Sequence, residues 1–99
     1  MNLSIVIPAH NEERRIGRTL EAYGEFYKEK FKDKVEVLVI LNGCNDNTIG
    51  VVSNFSKKYK IIKYYNYQEK IGKGGAIIEG FKKANADLIG FVDADMATS

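Results

Sequence analysis

Ninety-nine residues, 44% hydrophobic and 28% charged, suit one small domain with a single core and exclude a disordered tail or a collagen-like chain. A formal charge of +2 is too small to mark a nucleic-acid binder, and one cysteine excludes a disulfide scaffold and fits a reducing compartment. No apolar run approaches the roughly 18–20 residues of a membrane span and no basic leader precedes Leu3, so the expectation is a cytoplasmic protein, at most peripheral at a membrane.

Leu3 to Ile7 reads as a buried strand that Pro8 ends, because proline removes a ladder donor. Asn11 stands where an N-cap belongs, and Glu12 and Glu13 are acids suited to a first helical turn. Ile16, Leu20, Tyr23, Tyr27 and Phe31 then recur at spacings of three and four, one face of a helix, with Lys28, Lys30, Lys32 and Lys34 crowding its C-terminal end. Val35 to Leu41 is a second strand, interrupted only by Glu36. The run Asn42-Gly43-Cys44-Asn45-Asp46-Asn47 is dense in turn formers and precedes a helix through Val52, Phe55 and Tyr59. Ile61 to Tyr67 predicts a third strand. Gly72-Lys73-Gly74-Gly75 predicts a loop leading into a helix with Ala76, Ile77, Gly80, Phe81 and Ala84 on one side. Asp87 to Val92 predicts a fourth strand that runs into Asp93-Ala94-Asp95. This βαβαβαβ order implies an α/β, Rossmann-like, mostly parallel sheet with flanking helices and right-handed crossovers. Without linker or repeat, residues 1–99 read as one domain.

Open parallel sheets bind ligands beyond the carboxyl ends of their strands. Pro8 to Glu12, Asn42 to Thr48, Gly72 to Gly75 and Asp93 to Asp95 all fall on that edge. Asp93 and Asp95 offer two hard oxygen donors at a strand end, suited to Mg²⁺ or Mn²⁺ with a diphosphate. A bare pair of acids is common, but beside the other clusters metal binding is the better reading. Gly72-Lys73-Gly74-Gly75 combines close backbone approach with a cation, useful to an anion, and matches neither the P-loop nor the dinucleotide fingerprint. A generic Rossmann-like oxidoreductase is therefore not favoured, because the glycine signature and its ribose-binding acid are misplaced. His10 has no identifiable orienting partner in the sequence and is expected to line the site rather than act as a base. Cys44 lacks a partner base. Tyr64, Tyr65 and Tyr67 are explained by strand propensity, and Lys57, Lys58, Lys60 and Lys63 by a solvated face.

Pro8-Ala9-His10-Asn11-Glu12, the 42–48 turn, Gly72-Lys73-Gly74-Gly75-Ala76 and Asp93-Ala94-Asp95, taken together and in this order, resemble family 2 glycosyltransferases of the GT-A fold. Within that family they are most similar to the polyprenyl-phosphate (dolichyl-phosphate) glucosyl- and mannosyltransferases. The resemblance implies a nucleotide-diphosphate sugar donor, a divalent cation, chemistry at the anomeric carbon, and a polyprenyl-phosphate acceptor at a membrane surface. It places Pro8, Ala9 and Glu12 against the nucleoside, with Glu12 near the ribose, counts Asn11 and Asn42 among the nucleotide-sugar-binding residues, and puts Lys73 at the diphosphate, Asp93 near the ribose and sugar, and Asp95 on the metal. The second motif usually carries paired acids where this chain has Leu41-Asn42. The Asn42 carbonyl oxygen can accept the uracil N3–H, whereas the adjacent donors of guanine suit a carboxylate better, so a UDP-sugar is expected over a GDP-sugar. The chain resembles the donor-binding part, truncated after Asp95, with the general base expected beyond Ser99. Self-association through the apolar 88–92 edge is expected. The alternative is a catalytically silent nucleotide-binding or assembly module.

Overall fold

The computed structural model describes residues 2–31 and 33–95. Four strands and three helices alternate along the chain: β1 (Leu3–Ala9), α1 (Ile16–Tyr27), β2 (Val35–Asn42), α2 (Thr48–Lys58), β3 (Ile62–Tyr67), α3 (Gly72–Lys83) and β4 (Leu88–Phe91). All pairings are parallel and the sheet order is β3-β2-β1-β4. β1 and β2, the two central strands, carry the β-branched runs, because only there are both faces covered.

Alternation of side chains divides the core in two. Ile5, Ile7 and Ala9 of β1 and Val35, Val37, Val39 and Leu41 of β2 point to one face, where Ile16 and Leu20 of α1 and Val52 of α2 cover them. Val6, Leu38 and Ile40 point to the other face, against Ala76 of α3. α3 also approaches closely at Gly80, where an added Cβ would run into the Val6 side chain. The connection from β3 to β4 thus carries α3 across the face opposite α1 and α2, which leaves the carboxyl ends of β1, β2 and β4 together on one rim.

Several boundaries differ from those the sequence implies. Pro8 does not end β1: the ladder continues to Ala9, opposite Leu41. The Val6 carbonyl accepts from Val92 N–H at 3.1 Å, and the proline nitrogen, two residues on, faces the same side where β4 has already ended. Asn11 is not the N-cap of α1. It sits at φ +52° and α1 begins at Ile16, after the Glu12 carbonyl has accepted from Arg15 and Ile16 N–H. The helix stops at Tyr27, so Phe31 and the lysines beyond Lys28 are outside it; Lys32 lies outside the described residues. Phe31, at φ +60° and 59% exposed, leaves the helical face altogether. Gly72 to Gly75 is not a loop but the first turn of α3, and Phe81 of that helix is exposed. No helix among the described residues is long and apolar enough to cross a membrane.

Candidate functional site

The segment after β1 folds back on the segment after β2 through a set of backbone-to-side-chain hydrogen bonds. Asn11 Oδ1 accepts from Asn45 N–H at 2.7 Å and Asp46 N–H at 3.3 Å. Glu12 N–H donates to Thr48 Oγ1 at 2.9 Å, and Asn47 N–H donates to Glu13 Oε1 at 3.0 Å. Asp46 in turn accepts from Thr48 N–H at 3.0 Å and from Glu13 N–H at 3.3 Å. Burial raises the Asp46 carboxyl pKa, but the donors from Thr48 and Glu13 outweigh it, and the net position is below the ordinary carboxylate value. These residues spend their polar atoms on loop architecture. The positive φ of Asn11 serves this purpose too, since it aims the side chain at residues 45 and 46.

What the stitched loops leave open is a pocket of about 350 Å³ on the carboxyl rim. Pro8, Ala9, His10 and Glu12 come from the end of β1, Asn42 from the end of β2, Lys73 from the first turn of α3, and Asp93, Ala94 and Asp95 from the segment after β4. Of the residues the sequence singles out, the fold brings Pro8, Ala9, His10, Glu12, Asn42, Lys73, Asp93 and Asp95 into this one pocket, and Asn11 lines the neighbouring surface instead.

Asn42 is buried, and its Oδ1 accepts from Ile71 N–H at 2.6 Å, so one lone pair of the oxygen expected to read a base is committed to the entry of α3. The Asn42 backbone carbonyl accepts from His10 Nδ1 at 2.7 Å. A carbonyl can only accept, so Nδ1 carries a proton here, and Nε2 lies 3.4 Å from Asn11 Nδ2. His10 thus has the orienting partner that the sequence could not reveal. Glu12 Oε1 accepts from Arg15 Nε at 2.7 Å and pairs with the other arm of the same guanidinium at 2.6 Å, which fixes the carboxylate at the pocket wall. Lys73 Nζ lies 3.1 Å from Asp93 Oδ1; both side chains are about two-thirds exposed, and the pair is worth little to stability. Cys44 directs its thiol at the Ala9 carbonyl, 3.5 Å away.

Ala94 is buried between two exposed aspartates, and its carbonyl accepts from the Thr19 hydroxyl of α1 at 2.7 Å. Local pattern does not reveal Thr19, since 75 residues separate the pair. Among the described residues no group of three or more His, Cys, Asp or Glu side chains forms a complete cation cage. Mg²⁺ and Mn²⁺ bound with a nucleotide need no such cage, because one or two carboxylates suffice and phosphate and water fill the remaining positions. The donor set of Asp93 and Asp95 fits that chemistry.

The sequence model described as "Glycosyl transferase family 2" matches residues 4–99. The dolichyl-phosphate β-glucosyltransferase ALG5D of Trichomonas vaginalis is 36% identical over 100 residues, an alignment covering 97% of this chain and 31% of that protein. Among solved structures, S. aureus TarS (residues 1–349) in complex with UDP-GlcNAc superposes with a TM-score of 0.85 at 25% identity, over 96% of this chain and 27% of that one. The mannosyltransferase PcManGT from Pyrobaculum calidifontis, in complex with GDP-Man and Mn²⁺, gives a TM-score of 0.79 at 20% identity, over 95% and 27% of the two chains. The fold is thus the GT-A type. The chain belongs to glycosyl transferase family 2. It spans between 16 and 32% of the length of the curated relatives it matches.

Proposed function

We propose that this chain is the donor-binding part of a glycosyltransferase that moves a sugar from a UDP-sugar to a polyprenyl-phosphate acceptor at the cytoplasmic face of a membrane. The observation that carries the reading is the meeting of Glu12, Asn42, Lys73, Asp93 and Asp95 in one pocket on the carboxyl rim of a parallel sheet. Its volume is in the range that holds nucleotide-sized ligands. Pro8 and Ala9 form the floor under the nucleoside, and the fixed Glu12 carboxylate accepts from ribose hydroxyls. Lys73, at the N-terminal turn of α3, exchanges Asp93 for the diphosphate. Asn11 acts one step removed, by holding the 44–48 turn against the pocket wall. Asp95, with Asp93 beside it, would hold Mg²⁺ or Mn²⁺, which when bound offsets the charge of the departing nucleoside diphosphate. The dolichyl-phosphate relative supports the acceptor class, and the UDP-GlcNAc and Mn²⁺ complexes of the structural neighbours support donor and cation. The second lone pair of Asn42 Oδ1 supports uracil, which asks for a single acceptor at N3. Self-association through the β4 edge belongs to the same reading.

Calorimetric titration of UDP with and without Mn²⁺, for the wild-type chain and Asp95→Ala, tests it. Wild type binds more tightly with Mn²⁺, and Asp95→Ala loses at least about tenfold of that gain, the least that disturbing a cation's surroundings costs. Equal metal dependence in both forms removes Asp95 from the cation. Tight UDP binding without release or transfer of sugar, assayed in the longest polypeptide that carries this sequence, assigns a silent nucleotide-binding module instead.

A further inference from the structure

β4 is four residues long and pairs with one neighbour, β1. Its Leu88 and Phe91 are exposed and Ile89 and Gly90 half-buried, so neither face of the strand is strongly committed to the core. Strands of that kind hold their register weakly. The last bond of the ladder is Val92 N–H to the Val6 carbonyl, and Asp93, Ala94 and Asp95 lie beyond it. Yet these are the residues whose placement the proposed cation site requires.

Thr19 supplies what the ladder does not. It is fully buried on α1, one turn into the helix. A helical threonine ordinarily turns its hydroxyl back to a carbonyl of its own preceding turn. Here Oγ1 donates across the fold to the Ala94 carbonyl at 2.7 Å. Ala94 is itself a member of the buried core cluster to which β1 and α1 also contribute. One residue is thus pinned by both its burial and its carbonyl, while the flanking Asp93 and Asp95 line the pocket. Fixing the middle residue of three fixes the spacing and direction of the outer two. We propose that Thr19 is a positioning residue for the Asp93–Asp95 pair, setting the geometry in which those carboxylates meet a cation. This rests on the donor-site reading above.

Thr19→Val keeps the branched shape and removes the hydroxyl, and Thr19→Ser keeps the hydroxyl. UDP affinity is measured with and without Mn²⁺ for wild type and both variants, alongside ¹⁵N relaxation of residues 93–95 in the ligand-free chain. Thr19→Val lowers the gain in affinity from Mn²⁺ by about three- to tenfold, the equivalent of one hydrogen bond, with metal-free UDP affinity unchanged. Order parameters at 93–95 fall while those of β1 and β2 hold, and Thr19→Ser restores both readings. An equal loss with and without Mn²⁺, a loss that serine does not restore, or unchanged order at 93–95 overturns the positioning role. Wild type indifferent to Mn²⁺ overturns the donor-site reading, and the relaxation data then still decide whether Thr19 orders the pair.

Discussion

Glu36 shows how far one residue's environment can depart from what its neighbours in sequence imply. It interrupts the apolar run from Val35 to Leu41, and it is fully buried. Its carboxylate accepts from Ser4 Oγ at 2.5 Å, from Asn85 N–H at 2.7 Å and from Lys63 Nζ at 3.3 Å, while Ala86 N–H donates to the same Ser4 hydroxyl at 3.2 Å. Burial pushes its pKa up, but the Ser4, Asn85 and Lys63 donors more than offset this and hold it below the usual glutamate value. Glu36 therefore contributes stability above the unfolded pKa of about 4.3, and that contribution is lost as pH falls through the lower, folded value. Glu36→Gln is expected to cost about 1.5–3 kcal/mol at pH 7, the worth of a charged hydrogen bond. Its deficit narrows as wild type is acidified below about pH 4. Thermal unfolding of both forms from pH 7 to pH 3 checks it, and two parallel curves would show that the carboxylate carries no pH-linked stability.

Two glycines of α3 separate packing from propensity within one element. At Gly80 an added methyl would overlap Val6, which is fully buried and has nowhere to go. Overpacking of about 1–3 kcal/mol outweighs the roughly 1 kcal/mol that alanine gains over glycine in a helix, so Gly80→Ala destabilises. At Gly74 a methyl would meet nothing within 4 Å, so Gly74→Ala stabilises by up to about 1 kcal/mol. Denaturant melts of the two variants should move in opposite directions; movement in the same direction would mean that α3 does not sit on β1 as described. α3 also marks where local sequence stops being informative. The strands β1 and β2 were legible because β-branched runs leave little else for a buried parallel sheet. The onset of α3 was not, because its glycines read as loop and the acceptor of Ile71 N–H is supplied by Asn42, 29 residues earlier. Asn11 misled in the same way, since a residue typed for capping spends its side chain on Asn45 and Asp46. The pocket residues at strand ends could be named from order alone; Thr19 and the partner of His10 depend on contacts between distant segments.

Among the described residues, the sheet has a closed centre and two edges of unlike character. The β3 edge carries exposed Lys63 and Asn66 among half-buried Tyr64, Tyr65 and Tyr67, and Lys63 is tied to Glu36, so a pairing strand would meet charge and a committed side chain. The β4 edge reads Leu88-Ile89-Gly90-Phe91, without a charge, with Leu88 65% and Phe91 44% exposed. On α3, Ile78 and Phe81 are also exposed. Charged or lysine-bearing edges resist strand addition, and uncharged apolar ones invite it. The β4 edge is therefore where a second copy should add if the chain self-associates, and the β3 edge is where it should not. Sedimentation velocity over a range of concentrations is expected to show reversible association of the wild-type chain. Leu88→Lys places a charge on the exposed position and is expected to return it to a monomer, whereas Asn66→Val on the opposite edge leaves monomeric Leu88→Lys monomeric. A wild-type chain that stays monomeric at every concentration, or a Leu88→Lys variant that associates as wild type does, would show that the short length of β4 is protection enough.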